Sequence, residues 1–256
     1  MLAEVLRLEM PSLVFLSEPQ VFQSDIRNTA QYFQPDYCYF LNSEDSNDPD
    51  LPLIKSKAKG GTMILWKKCL DPFIKVVNVN SSAFLPIVIS IPGSRTSVHV
   101  ALYLPTHGQD TEFVSELANL RNCLDDLITE YGNPCIYIRG DGNVNIKNTN
   151  RVNILSSFKT HFDLNETEIV HKTYHHFVGH GLYDSNVDVI LHSRGSTVSP
   201  EAITGILCQK NNPSMYSHHD IILSTFSLPP GDKEQSADDL VSETNDESSE
   251  EQGHMD

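Results

Sequence analysis

The chain has 256 residues, enough for one sizeable domain and a tail, and 39% of them are hydrophobic, which is sufficient for a packed core. Its formal net charge of −16 argues against a non-specific nucleic-acid binder, because such proteins normally present a basic surface. The charge does not exclude a nuclease, because a bound divalent metal supplies positive charge at its own site.

The negative charge is concentrated at the C-terminal end of the sequence. Residues 231–256 contain ten Asp or Glu and one Lys and carry −9, which leaves −7 for residues 1–230. Because this end has almost no apolar residues, we expect an acidic, disordered tail at residues 229–256, after a domain at residues 1–228. A solvated tail that aids solubility is favoured over a specific partner-binding segment.

The cysteines and the terminus indicate the compartment. The cysteines are widely spaced, without a CxxC pair, and indicate reduced thiols inside the cell, in the nucleus or cytoplasm. No basic segment followed by an apolar run marks the N-terminus, so we expect no signal peptide. No apolar stretch approaches the length of a membrane span, so no membrane partner is expected, and the oligomeric state stays open.

The first half of the chain predicts one helix and several strands. Apolar residues at helical spacing predict a short helix over residues 1–9, which Pro11 ends. Four apolar residues then predict a buried strand at residues 13–16. Residues 42–52 are rich in Asp, Asn, Ser and Pro and predict a surface loop. Further strands are predicted at residues 62–66, 74–79, 85–91 and 98–104.

The second half adds two helices. Apolar residues recur at helical spacing over residues 111–131, and Gly132 is the expected C-cap. A second helix is predicted at residues 152–162, and strands at residues 135–138, 187–191 and 221–226. Strands outnumber helices and occur in consecutive groups, a pattern typical of antiparallel or mixed sheets packed together with helices outside.

Carboxylate and amide side chains follow two of the predicted strands. Glu18 follows the strand at residues 13–16, where a carboxylate can bind a hard cation; the alternative is an exposed loop glutamate. Asp141 and Asn143 follow the strand at residues 135–138. Asp141 could accept a proton from water, and Asn143 could orient that water or a phosphate, although the same residues also favour an ordinary turn.

Three further side chains complete the candidate site. Tyr103 ends a strand, and its hydroxyl could contact a phosphate oxygen, although a partly buried core tyrosine gives the same pattern. Asp188 lies within an apolar run, where it either faces solvent or needs a partner such as a histidine, whose tautomer the carboxylate would fix. His219 precedes the last strand and could donate a proton or a hydrogen bond to phosphate.

The order of these motifs resembles that of the endonuclease/exonuclease/phosphatase superfamily, and within it the apurinic-type endonuclease domains of non-LTR retrotransposons. The resemblance covers roughly residues 1–228. It rests on Phe15-Leu16-Ser17-Glu18, Tyr103 with Pro105, Gly140-Asp141-Gly142-Asn143, Thr173, Ser185-Asn186-Val187-Asp188-Val189-Ile190 and Ser217-His218-His219. It implies an α/β fold, a four-layer sandwich of two packed mixed β-sheets flanked by helices.

The same resemblance implies a metal-dependent phosphodiester hydrolase, specifically a DNA endonuclease domain derived from a retrotransposon, with nucleic acid as its substrate. Glu18 is then expected to bind Mg²⁺ or Mn²⁺, and Asp141 to position or deprotonate the attacking water. Asn143 and Tyr103 would hold phosphate oxygens. His219, oriented by Asp188, would stabilise the charge that builds on phosphorus.

Two departures from the family pattern bear on activity. The family's first strand carries a metal-site asparagine upstream of the glutamate, and we expect that strand to be missing here. His218 replaces an aspartate, and imidazole is a poorer ligand for a hard ion such as Mg²⁺. Two alternatives stay open: a catalytically impaired remnant that acts at most as a binding module, and a phosphatase on another phosphoester.

Overall fold

The structure of the chain is a computed structural model. It describes residues 2–33, 35–43, 45, 50, 52, 58, 60–145, 147–169, 174–178, 181–185, 187–194, 196, 198–203 and 221–226. The predicted acidic tail, residues 229–256, lies outside the described residues.

The described residues form helices and strands in an interleaved order. The helices are α1 (Leu2–Glu9), α2 (Ile26–Ala30), α3 (Asp110–Tyr131) and α4 (Thr149–His161). The strands are β1 (Leu13–Ser17), β2 (Tyr37–Asn42), β3 (Thr62–Lys67), β4 (Ile74–Val76), β5 (Phe84–Ile89), β6 (Ser97–Tyr103), β7 (Cys135–Asp141), β8 (Leu164–Glu166), β9 (Tyr174–Val178), β10 (Gly181–Ser185), β11 (Asp188–Ser193), β12 (Val198–Ile203) and β13 (Ile221–Phe226).

Most of these strands belong to two sheets. The larger sheet has six strands in the order β4-β5-β6-β7-β11-β8, and it is mixed because β6 and β7 run parallel while its other pairs are antiparallel. The smaller sheet has three antiparallel strands in the order β1-β3-β2. The pairs β9–β10 and β12–β13 form two-stranded sheets. Helix α3 makes the long crossover that a parallel β6–β7 pair requires.

Apolar side chains fill three interfaces between four layers. Ile64 and Trp66 of the small sheet pack on Leu85 and Ile87 of the large sheet. The outer face of the small sheet packs on α1 and α2, and the outer face of the large sheet packs on α3 and α4. The predicted α/β sandwich of two sheets flanked by helices is therefore confirmed.

Helix α3 follows directly from its sequence pattern. Its buried residues recur at helical spacing and face the large sheet: Phe113, Leu117, Leu120, Leu124 and Leu127. Gly132 ends the helix in the left-handed conformation at a φ of 62°, and its N–H donates to the Ile128 carbonyl at 2.9 Å. No helix in the described part of the chain is long and apolar enough to cross a membrane.

The two sheets come into close contact at Gly140, the residue before Asp141 in β7. Gly140 has a φ of 139°, which L side chains rarely adopt. A Cβ at this position would overlap the Leu102 carbonyl oxygen and lie 2.7 Å from Ser17 Oγ. Only glycine therefore allows the ends of β1, β6 and β7 to meet.

We expect Gly140→Ala to destabilise the fold by more than about 2 kcal/mol, since it combines a disfavoured φ with a clash against backbone. Gly93→Ala is the matched control, because Gly93 also has a positive φ, of 80°, but nothing lies within 4 Å of its added Cβ. The free energy of unfolding from urea titration gives the comparison. Equal losses in the two variants would show that the close approach at Gly140 is not a constraint.

Candidate active site at the rim of the two sheets

Strand direction brings the predicted site residues to one rim. Tyr103 ends β6 beside Asp141, which is its register partner at the end of the parallel strand β7. Asp188 begins β11 and is the register partner of Asp141 on the other side. Glu18 directly follows β1, whose end meets this same rim through Ser17. Three predicted site residues from distant parts of the sequence, Glu18, Tyr103 and Asp188, therefore lie around Asp141.

The hydroxyl of Ser17 joins the two sheets at this rim. Its Oγ donates to the Leu102 carbonyl of β6 at 2.7 Å and accepts from the Asp141 N–H of β7 at 3.2 Å. Since Glu18 is the next residue, this bridge fixes the position of the Glu18 backbone relative to Asp141. The N–H of Glu18 also donates to the Gly61 carbonyl at 3.0 Å, and Glu18 has a left-handed φ of 50°.

Asp141 and Asn143 form one hydrogen-bonded unit. Asp141 is 4% exposed, and its Oδ1 accepts from the Asn143 N–H at 2.8 Å. The Asn143 side-chain amide donates to Asp141 Oδ2 at 3.0 Å and to the Leu104 carbonyl at 2.7 Å. Asn143 has a φ of 47°, a conformation that asparagine tolerates better than most residues. The carboxylate of Asp141 is thereby held in one orientation.

These bonds limit what Asn143 can do in this state. Both hydrogens of its side-chain amide are donated to protein acceptors, so its Oδ1 is the polar atom left to face a ligand. The role predicted for Asn143, holding a phosphate oxygen, would need one of these hydrogen bonds to be exchanged. In the observed geometry, Asn143 orients the carboxylate of Asp141.

Tyr103 and Glu18 form a second pair. The Tyr103 hydroxyl donates to the Glu18 carboxylate, and burial, reinforced by the negative charges of Glu18 and Asp141, raises the pKa of Tyr103. Gly60 packs so closely on the phenol ring that a Cβ at position 60 would lie 3.2 Å from it. Tyr103 is therefore a neutral donor at neutral pH, and it orients Glu18 in this state.

Asp188 adds a further carboxylate opposite Asp141. The two residues face each other across the antiparallel β7–β11 ladder, where like charges repel. Asp188 is half-buried and makes its own interactions. A positive group at the rim, either a protonated imidazole or a metal ion, would relieve the repulsion.

The second half of the predicted site lies outside the described residues. The residues that the structure does not describe include Thr173, Asn186, Ser217, His218 and His219, the proposed partner of Asp188. The sharing of one pocket by His219 and Asp188 stays a prediction.

The donor chemistry of the rim suits a hard cation. Glu18, Asp141 and Asp188 offer carboxylate oxygens, the ligands that Mg²⁺ and Mn²⁺ prefer. Within the described residues no three acidic, imidazole or thiol side chains converge as a ready-made metal site. Glu18 is held by its backbone and by Tyr103, and its binding of such an ion stays a prediction.

Arg151 is a buried residue that supports the rim, and the sequence analysis did not identify it. Its side chain is 1% exposed and donates from Nε to Asp110 Oδ1 at 2.7 Å. Its other nitrogens donate to backbone carbonyls on both sides of the site, those of Pro105 (2.7 Å), Thr106 (2.8 Å) and Asn143 (3.1 Å). The guanidinium also lies 4.4 Å from the centroid of the Phe113 ring. Arg151 thus ties the loop after β6 to the loop after β7.

We expect Arg151→Met to lose about 3–5 kcal/mol of stability, because three carbonyls lose their donor and Asp110 loses its partner. Hydrogen exchange should also speed up in residues 104–106 and 142–145. Arg121→Met is the control, since Arg121 is 53% exposed and its ion pair with Asp125 is long, at 3.8 Å, and it should change stability by less than about 0.5 kcal/mol. If the two variants lose similar amounts of stability, Arg151 does not hold the two loops together.

Tyr103 should make the stability pH-dependent at high pH. Because its folded pKa is raised, its contribution is complete below about pH 10, the ordinary tyrosine pKa, and is lost as the pH rises further. The wild type should therefore lose stability relative to Tyr103→Phe between about pH 10 and about pH 11, measured by urea unfolding. Tyr32→Phe, at an exposed position, is the control. If the difference in the free energy of unfolding between the wild type and Tyr103→Phe stays constant across this range, the raised pKa of Tyr103 is contradicted.

Comparison with known proteins identifies the fold. No family model and no curated protein matches the sequence. The endonuclease domain of TRAS1, a telomere-specific non-LTR retrotransposon, is similar in structure with a TM-score of 0.59 and 13% identity, over 90% of this chain and 92% of that one.

Two other solved structures agree. An endonuclease/exonuclease/phosphatase family protein from Leptotrichia buccalis has a TM-score of 0.60 and 14% identity, over 89% of this chain and 91% of that one. The human Nocturnin catalytic domain has a TM-score of 0.57 and 16% identity, over 89% and 84%. The chain therefore has the endonuclease/exonuclease/phosphatase fold, as its motif order predicted.

Proposed function

We propose that the chain is a metal-dependent phosphodiester hydrolase and that its substrate is nucleic acid. One observation carries the proposal: the Ser17 bridge places Glu18, held by Tyr103, beside an Asp141 carboxylate held by Asn143. A cation-binding carboxylate next to an oriented, buried base is the arrangement that hydrolysis of a phosphoester requires.

Each residue then has a defined task. Glu18 would hold Mg²⁺ or Mn²⁺, which when bound would supply the positive charge that an anionic phosphate needs. Asp141, fixed by two hydrogen bonds from Asn143, would orient the attacking water and accept its proton. Tyr103 would orient Glu18 and could exchange this bond for a phosphate oxygen. Asp188 would orient His219, and His219 would donate to the phosphate as charge builds there.

The finer proposal is a DNA endonuclease of retrotransposon origin. Support comes from the similar fold of the TRAS1 endonuclease domain, which matches this chain over nearly the full length of both. The formal charge of −16 makes a strong non-specific grip on the nucleic-acid backbone unfavourable. Bound metal at the rim would offset the negative charge where the scissile phosphate sits.

We expect weak nicking of supercoiled plasmid or cleavage of an abasic-site duplex in Mg²⁺ or Mn²⁺, and loss of this activity in EDTA. Asp141→Asn should lower the rate by about 100-fold or more, because it removes the base while leaving the shape. Glu18→Gln and His219→Ala should lower it similarly. His218→Asp should raise the Mg²⁺-supported rate, because a carboxylate is the harder ligand.

The matched controls are Asp126→Asn and His161→Ala, which change an exposed carboxylate and an imidazole on α3 and α4 and should leave the rate unchanged. Assays on p-nitrophenyl phosphate test the phosphatase alternative in parallel. If the folded protein, with and without His218→Asp, has no metal-dependent activity on DNA, RNA or small phosphoesters, the hydrolase proposal fails and the inert remnant replaces it.

A further inference from the structure

Asn143 holds the carboxylate of Asp141 from an unusual backbone conformation. Its N–H and its side-chain amide donate to the two carboxylate oxygens, at 2.8 Å and 3.0 Å, while its φ is 47°. Rotation about φ turns the side chain relative to the N–H, so both bonds survive only while this φ is kept. Residues other than glycine stay in the left-handed region only where their surroundings hold them there. The orientation of Asp141 therefore depends on what holds the backbone of Asn143.

Two further contacts hold Asn143 in place. Its side-chain amide donates to the Leu104 carbonyl at 2.7 Å, and the Leu104 N–H donates to the Asp141 carbonyl at 2.9 Å, so these three residues form a closed set. The main-chain carbonyl of Asn143 accepts from Arg151 Nη1 at 3.1 Å. Arg151 belongs to a different element, helix α4, which packs on the large sheet. Arg151 is thus the side chain that anchors the backbone of Asn143 to a helix of the outer layer.

The guanidinium of Arg151 is itself fixed by three other contacts. Its Nη1 also donates to the Pro105 carbonyl at 2.7 Å, its Nη2 to the Thr106 carbonyl at 2.8 Å and its Nε to Asp110 Oδ1 at 2.7 Å. The group is planar and 1% exposed, so it cannot turn to follow a movement of Asn143. A lysine would keep the positive charge, but one nitrogen on a flexible stem cannot occupy the positions of three. The fork, rather than the charge, determines where the Asn143 carbonyl lies.

We propose that Arg151 is a positioning residue for Asp141, and that it acts through the backbone of Asn143. Its effect on rate rests on the proposed function, in which Asp141 accepts a proton from the attacking water. A general base must point at the proton that it removes, and a displacement of about 1 Å can cost roughly 100-fold in rate. Because Arg151 is buried beneath the loops, its loss should slow the chemical step and leave substrate binding nearly unchanged.

Arg151→Lys tests this role kinetically, since it removes the fork and keeps the charge. We expect the metal-dependent kcat on plasmid or abasic-site duplex to fall at least tenfold, with KM changed by less than about twofold. Combined with Asp141→Asn, the same change should lower the residual rate by less than about twofold, because the base through which it acts is already gone. Arg121→Lys, at an exposed position on α3, is the control and should change neither value.

Two kinetic outcomes would contradict the proposal. An increase in KM with unchanged kcat would make Arg151 a substrate contact. An equal loss of kcat with and without Asp141→Asn would show a general loss of structure, unrelated to the orientation of the base.

Hydrogen exchange tests the same contacts without metal, substrate or turnover. In Arg151→Lys the N–H of Asn143, which donates to Asp141, should exchange at least tenfold faster, while the N–H of Gly132 at the end of α3 should not change. Unchanged exchange at Asn143 would overturn the proposal whatever the activity. Faster exchange at Asn143 in a protein without activity would overturn the proposed hydrolase function and leave the positioning of Asp141 in place.

Asp110→Ala is the second variant, for the case that Arg151→Lys does not fold. Asp110 is 56% exposed and orients the guanidinium through Nε alone, so its loss leaves the three bonds to carbonyls available. We expect the exchange of the Asn143 N–H to rise and kcat to fall in the same directions as for Arg151→Lys, by about threefold each. If neither value changes in Asp110→Ala, the fixed guanidinium does not control Asn143 and the proposal fails.

Discussion

The hydroxyl of Ser17 is the contact on which the site depends. It joins the end of β1 in the small sheet to β6 and β7 in the large sheet, through the Leu102 carbonyl and the Asp141 N–H. Sheets packed face to face lie about 10 Å apart, so a hydrogen bond from a serine to the opposite backbone requires an unusually close approach. Gly140 provides that approach because it has no Cβ. A serine, a glycine and a positive φ together bring the end of β1 to the Asp141 backbone, and the negative charges of Glu18 and Asp141 both act on Tyr103.

Electrostatics sets the second constraint on the rim. Glu18, Asp141 and Asp188 are all acidic, and the neutral donors around them are already used: Tyr103 donates to Glu18, and Asn143 to Asp141. Hydrogen bonds from neutral groups orient these carboxylates but do not cancel their charge. The rim therefore concentrates negative charge, although its carboxylates do not converge as a ready-made metal site among the described residues, and the hydrogen bonds from Tyr103 and Asn143 fix the orientation of two of them. Preorganisation of this kind is what electrostatic catalysis requires.

Local sequence patterns were sufficient for much of the fold and for the position of the candidate site. Helix α3 could be predicted because burial of one face imposes helical spacing, and Glu18, Tyr103 and Asp141 could be selected because each lies at the end of an apolar strand or directly after it. Strand β2 (Tyr37–Asn42) was missed, because its aromatic run shows no clear alternation. Arg151 was also missed, because its acceptors Pro105 and Thr106 lie 46 and 45 residues away and no local pattern reveals them.

Strand β1 leads directly into the candidate site. Glu18 follows β1 directly, and β1 has ladder hydrogen bonds from β3 alone in the described structure. A strand paired on one side opens more readily than one paired on both, so the proposed cation ligand sits on the least supported strand of the rim. The Ser17 bridge and the Glu18–Gly61 hydrogen bond add support at the end of that strand, directly beside Glu18, where the candidate site lies.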